Sequence, residues 1–335
     1  MLAPNKEYYF VILAGANLTS VARINFKSHG IYYCSLRSQT FKDIIKQIEN
    51  FDTMLREHLG DLKFFQVDKH AFILYSEKES LLNEAVYFLQ LLQPSCLTLW
   101  AEFHTYWIEY EDYPVAGSSL NTYTTSGFTW YMSVAELSDV IFKDEATELF
   151  YLAKKEAPFV NILFKKYLYS QKPPEFVQTI RIYIQAFEES RPYIKYITLM
   201  IIIESLIISD ETQGVSYKIR RLCAVLLGAT IDECRNLFEK MKKAYEVRSK
   251  YVHNAQYKLN EGNFLKFIHS VVSELMIYII ATDFAAPKQN YFEWSNEMGY
   301  GSRYEKITDK KLKTFPHLFM NELNFMLDLV RKKKR

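Results

Sequence analysis

From about Val134 onward, apolar residues recur at three- and four-residue spacing almost without a break, and a chain patterned this way must bury stripes of packed helices. Helices are predicted at 134–142, 145–170, 174–189, 193–208, 216–227, 230–253, 262–283 and 316–331. Pro173, Pro174 and Pro192 fall between them, where proline is tolerated. The first 130 residues are patterned differently. Segments rich in Ile, Val, Tyr, Phe and Trp predict strands at Tyr8–Ala14, Gly30–Ser35, Ala71–Tyr75 and Leu97–Glu109. Helices are predicted at Phe41–Leu59 and Glu79–Leu92, and a polar loop at Gly117–Gly127. The expected fold class is α+β. A mixed α/β domain would span 1–130, a helical connector 131–172, an all-α bundle 173–285, and an extension with a basic tail 286–335. No internal repeat or low-complexity tract interrupts this order.

Apolar residues at 49% and charged residues at 24% fit a folded chain with a large core. Lys6 and Glu7 break the first apolar residues, so no signal peptide is expected. The longest apolar run, Ile197–Ile203, is far shorter than a membrane span and stops at Glu204. Cytoplasmic localisation without membrane attachment is expected. Cys34, Cys96, Cys223 and Cys234 form no CxxC and have no His at ligand spacing, so they read as reduced structural thiols, and no metal or other cofactor is expected.

The net charge of +2 hides an asymmetry: residues 1–150 hold 11 Lys and Arg against 19 Asp and Glu, which leaves 30 against 20 in the remainder. The tail Arg331–Arg335 reads as a solvated end. Ser216–Lys258 carries ten basic residues against four acidic ones, a balance suited to a polyanion.

Inside that segment lies the one pair that points at chemistry, Arg248 and His253. A guanidinium holds a phosphate through its planar fork, and an imidazole moves a proton near neutral pH. The spacing alone is weak. With 12 Arg and 7 His, chance supplies about 0.75 such pairs, and Arg23 with His29 is a second one. The setting of Arg248 is more specific. Thr230 and Glu233 form a capping box that opens the helix. Cys234, Leu237, Phe238, Met241, Tyr245 and Val252 form its inward stripe. With Met241 at 0° and 100° per residue, Arg248 falls at about −20°, inside that stripe, and His253 at about +120°. A charge placed there needs a carboxylate, a solvent-filled cleft or a bound anion. The simpler roles are a salt bridge to Glu204 or Glu246 for Arg248, and interaction with the helix dipole for His253. For joint action, the helix must end near Val252 and turn, which Asn254 permits, or a second copy must supply the partner group.

The Glu204-Ser-Leu206 helix, the Arg220-Arg221 to Gly228 helix and the Tyr245-x-x-Arg248-Ser249-x-x-Val252-His253 ending follow one another in the order seen in the HEPN superfamily, and residues 174–285 resemble its Apea-like branch. That branch follows the His with Gly, where this chain has Asn254. Its arginine before Leu-Leu-Gly matches Arg220 or Arg221. The resemblance implies a helical bundle that dimerises with two Arg-x4-His motifs facing each other, and a metal-independent endoribonuclease of an abortive-infection or toxin-type system. In that role Arg248 would bind the scissile phosphate of RNA and His253 would act as general acid/base. Glu204 would orient Arg248 or Arg221, or form an ordinary buried ion pair. Ser249 would hydrogen-bond locally. The alternative is an inactive HEPN module serving dimerisation or binding of RNA, a nucleotide or a protein. Residues 1–130 resemble no named family. A sensing role for them, responsive to a phage trigger or a regulatory protein, would let their acidic balance mask a basic effector.

Overall fold

The protein is described by a computed structural model over residues 7–16, 18–35, 38–41, 71–92, 98–112, 121–132, 151–189, 191–208, 214–228, 230–254 and 261–281. At 14, 71, 98–112, 121–132, 187–188, 253–254 and 261–263 the description is of the backbone alone. The helices predicted at 134–142 and 316–331, and most of that at Phe41–Leu59, lie outside the described residues. The chain divides into two compact units, Met1–Ala157 and Pro158–Arg335. The fold class is α+β.

Among the described residues, the first unit is built on a five-stranded antiparallel sheet in the order β2-β3-β1-β4-β5. The strands are β1 Tyr8–Ala14, β2 Ile31–Ser35, β3 Ala71–Ser76, β4 Thr98–Asp112 and β5 Asn121–Met132. Phe10, Val11, Ile12 and Leu13 of β1 are all buried, so both faces of this central strand are covered, and it reads as a continuous apolar run rather than an alternating one. Tyr32, Tyr75 and Phe10 stand opposite one another on β2, β3 and β1, and their rings stack at 5.3 and 5.7 Å. Burial among these rings pushes the Tyr75 hydroxyl up to about 12. A short helix, α1 (Leu18–Val21), leads into a 3-10 turn at Phe26–His29. That turn ends at Gly30, whose φ of +75° puts it in the left-handed region that favours glycine. Helix α2 (Glu79–Leu92) packs on β1, β2 and β3 through a face that includes Leu82, Ala85, Val86, Leu89 and Leu92.

The segment Gly117–Gly127, predicted as a loop, is corrected by β5. Its residues from Asn121 onward pair with β4 from Asn121↔Asp112 to Met132↔Ala101. Threonine is polar but β-branched, and the run Thr122-Tyr-Thr-Thr suits a pleated strand.

The second unit is a helical bundle. Its helices are α3 Ala157–Tyr169, α4 Pro174–Glu188, α5 Pro192–Ile207, α6 Val215–Leu227, α7 Ile231–Asn254 and α8 Glu261–Ala281. Of the helix predicted over 145–170, residues 145–150 lie outside the described residues, and α3 begins at Ala157. The stretch 151–156 is irregular, with the Glu156 carboxylate accepting from the Ala153 amide at 2.8 Å. Pro174 and Pro192 do not lie between helices but open α4 and α5, at the position where the missing N–H costs nothing. Helix α5 is the hub and meets α4, α6, α7 and α8. Its buried Tyr196, Leu199, Met200, Ile202, Ile203, Leu206 and Ile207 point to almost every side. Helix α8 is long and apolar enough to cross a membrane, but 72% of that window is buried inside the protein, as in a core helix. The α6–α7 corner needs Gly228. A Cβ there would stand 2.5 Å from Cys234 Sγ and 2.6 Å from the Ala224 carbonyl.

His269 of α8 is buried and stacks on Tyr183 of α4 at 5.5 Å. Burial, with the charge of Lys195 nearby, pushes its imidazole down to about 3 from an ordinary 6.5. The unfolded chain therefore binds a proton below pH 6.5 that the folded protein refuses, and stability is lost as the pH falls from 6.5 toward 3. The slope from this one group reaches about 1.4 kcal/mol per pH unit. His269→Phe is expected to flatten the pH dependence of unfolding over that window, measured by denaturant titrations at a series of pH values. An unchanged slope would contradict the assignment. Gly228→Ala is expected to destabilise the protein by about 1–3 kcal/mol, read from the denaturant midpoint, because the new methyl meets backbone as well as sulfur.

Candidate functional site

Helix α7 starts where its sequence says it should, with the Glu233 amide donating to Thr230 Oγ1 at 3.2 Å. Its buried side is only partly the one expected. Cys234 and Met241 are buried, but so are Ala244 and Val247, at about −60° and −120° on the same wheel. Leu237, Phe238 and Tyr245 are half-buried, and Val252 is 57% exposed. The inward stripe expected to run on through Tyr245 and Val252 is thus corrected. The core side of α7 rotates along its length, which leaves Arg248 at the margin of the packed face rather than in its middle.

Helix α5 meets this half of α7 at three points. The Tyr196 hydroxyl donates to the Ala244 carbonyl at 2.7 Å, the same carbonyl that the Arg248 amide takes in an α-helix. Tyr193 stacks on Tyr251 with ring centres 5.2 Å apart. Glu204 faces Arg248, whose Nη2 lies 3.2 Å from one carboxylate oxygen and 3.3 Å from the other. Both side chains are about three-quarters buried, at 25% and 24% exposure. One nitrogen spread over two oxygens at these lengths is a looser pairing than the two-pronged fork, which closes to about 2.7–2.9 Å. Arg248 Nε is buried and has no hydrogen-bond partner among the described residues. The guanidinium also lies over the Tyr245 ring, 5.3 Å from its centre. Burial raises the Glu204 carboxyl above its ordinary value, and the Arg248 charge works against that rise. Of the partners expected for Arg248, the structure selects Glu204; Glu246 is on the exposed side.

The other predicted residues divide as follows. His253 and Asn254 have helical backbone, in keeping with the helix predicted over 230–253, so of the two conditions for joint action an ending near Val252 is not met. Arg248 and His253 are therefore about 140° apart around one helix and about 7.5 Å apart along it. The side chains of His253 and Asn254 lie outside the described residues. Ser249 is half-buried beside Arg248. On α6, Arg220 donates Nε to the Ser216 carbonyl at 3.2 Å and stacks over Phe238 at 4.8 Å, while Arg221 is half-buried. Arg23, of the competing pair, donates to the Leu152 carbonyl, and His29 ends the 3-10 turn, so no common helix carries them. Tyr193, Tyr196 and Tyr251 were not singled out from the sequence. Their signal was the aromatic content of α5 and α7, which does not by itself say which rings meet. Among the described residues no three His, Cys, Asp or Glu side chains gather around a common point.

Arg248→Ala is expected to destabilise the protein by about 1–3 kcal/mol by leaving the Glu204 carboxylate unpaired. The penalty should shrink as the pH falls, because protonation neutralises an acid whose folded value is already raised. Adding Glu204→Gln should recover part of the loss in denaturant titration, whereas strictly additive penalties would mean that the pair is not coupled. Compared with known proteins, the chain matches no family model, no curated protein and no solved structure.

Proposed function

We propose that the second unit is a metal-independent endoribonuclease of the HEPN type, with Arg248 and His253 as its working pair. The supporting observation is the state of Arg248. Its guanidinium is positioned by Glu204 and Tyr245, yet only Nη2 is engaged by the carboxylate. A group fixed in place with donors to spare suits a phosphate with developing charge. It also lies on a basic segment, as a polyanionic substrate requires.

The reaction needs little from the protein. The ribose 2′-hydroxyl attacks the adjacent phosphorus and gives up its proton to a base. The bond to the 5′-oxygen then breaks, the leaving oxygen takes a proton, and a 2′,3′-cyclic phosphate remains. Arg248 binds the phosphate oxygens, and His253 carries protons as general acid/base. Glu204 is a positioning residue that holds the guanidinium. Because α7 is helical through Asn254, one copy separates the two groups, and a second copy of the chain completes the site. The ordinary setting is then a cytoplasmic homodimer acting on RNA in an anti-phage or toxin-type system. The first unit would sense a phage trigger or a regulatory protein.

A second reading is an inactive HEPN module that dimerises or binds RNA or a nucleotide. The wide angle between the pair on one helix, about 140° from five residues at 100° each, favours it. Expression of wild type, Arg248→Ala and His253→Ala separates the two. Wild type is expected to arrest growth and cleave RNA, and each variant to lose about 10²-fold or more in cleavage rate. Co-expression of the two variants should restore cleavage if each copy supplies one group. Variants that cut as well as wild type would remove the enzyme reading.

A further inference from the structure

Two arginine–aromatic stacks lie along one side of α7. Arg220 stacks over Phe238 at 4.8 Å and approaches Tyr217 at 5.9 Å, and Arg248 stacks over Tyr245 at 5.3 Å. Phe238 and Tyr245 are seven residues apart, two turns or about 10 Å along the axis. On the wheel with Met241 at 0°, Arg235, Phe238, Lys242, Tyr245 and Ser249 fall between about +40° and +120°. From Arg235 through Phe238 and Lys242 to Tyr245 this edge alternates cationic and aromatic side chains, with Ile231 before them and Ser249 after. Arg235 and Lys242 are exposed, and Phe238, Tyr245 and Ser249 are half-buried. Its acidic neighbours Asp232, Glu239 and Glu246 lie outside it, at about +140° to +180°. Tyr217, 48% exposed and edge-on to Phe238 at 6.0 Å, extends the edge onto α6.

We propose that this edge of α7, from Tyr217 and Arg220 to Arg248, is a track for single-stranded RNA. The choice of RNA as ligand rests on the nuclease reading above; the track itself rests on the alternation. Basic side chains follow a phosphate backbone, while aromatic faces and guanidinium planes accept unstacked bases of any sequence. A duplex hides its base faces and offers only backbone to such a surface. The described residues 214–254 hold nine Lys and Arg against four Asp and Glu, so the field here attracts a polyanion.

The test uses the full chain carrying His253→Ala, so that RNA is bound but not cut. Binding of a labelled single-stranded oligoribonucleotide and of its duplex is followed by fluorescence anisotropy across a salt series. Lys242→Glu is expected to weaken single-strand binding about ten-fold and to flatten the salt dependence by about 0.7 for each phosphate no longer neutralised. Lys243→Glu makes the same charge change about 100° round the helix from Lys242, outside the edge, and should alter affinity less than about two-fold. Tyr217→Ala should weaken the single strand about five-fold or more and leave the duplex unaffected. Equal losses from Lys242→Glu and Lys243→Glu, duplex bound as tightly as single strand, or no binding of either would overturn the track. Track and nuclease fail separately. Single-strand binding that depends on Lys242 in a protein whose wild type cuts no RNA would keep the track and remove the nuclease. RNA cleavage with binding indifferent to Lys242 would do the reverse.

Discussion

A carboxylate in a helix that is apolar on almost every side needs a counter-charge, and the second unit is arranged around supplying one. Glu204 sits on α5, the helix that α4, α6, α7 and α8 all touch. Burial alone pushes its carboxyl up, and Arg248 is the charge that opposes this. The ion pair is modest in geometry, but it acts together with the Tyr196–Ala244 hydrogen bond and the Tyr193–Tyr251 stack. These three contacts decide which side of α7 faces the hub. A purely apolar seam would permit sliding and rotation at little cost. A charge, a hydroxyl and a ring pair have a single register in which all are satisfied.

The elements best read from sequence were those with one unambiguous period and sharp ends. Strand β1 and helix α2 have the bounds expected of them, Tyr8–Ala14 and Glu79–Leu92. The Thr230 cap of α7 was legible for the same reason, since terminal chemistry is local, whereas Pro174 and Pro192, placed between helices, instead open α4 and α5. Strand β5 was missed because its threonines count as polar in a loop scan. Only pairing with a long β4 shows that they form a pleated surface. The irregular stretch 151–156 before α3 was missed because apolar spacing continues through it while Glu156 satisfies the backbone locally.

For the site, Glu204 and Arg248 were legible as candidate partners because each is a charge in an apolar pattern, but Glu246 and Arg221 stood as alternatives until the structure joined the two. The setting of Arg248 was not legible. A helical wheel assumes that one side of a helix faces one neighbour throughout. Helix α7 has two: its first half packs on α6 at Gly228 and Arg220, and its second half on α5 at Tyr196, Glu204 and Tyr193. The buried side turns as the neighbour changes, from Cys234 and Met241 to Ala244 and Val247. That turn leaves Phe238, Tyr245 and Ser249 half-open along one edge. Helix α7 ends at Asn254, one residue beyond the predicted 253; the sequence left open only whether the chain turned earlier, near Val252, because Asn tolerates both a helical end and a turn.

The first and last described helices of the bundle are joined directly, by Lys166 Nζ donating to the Ala281 carbonyl at 2.8 Å across 115 residues of sequence. A lysine on the last carbonyls of a helix is a familiar end-cap, but here it is supplied by the helix made first. During synthesis α3 to α7 emerge while the cap has nothing to hold and the side of the hub reserved for α8 is open. At about 5–20 residues per second, that interval lasts many seconds, with apolar α5 and α6 surface exposed to other chains. Closure of the described bundle therefore waits for α8. The same long-range closure that holds the finished bundle together leaves apolar surface open in its nascent form.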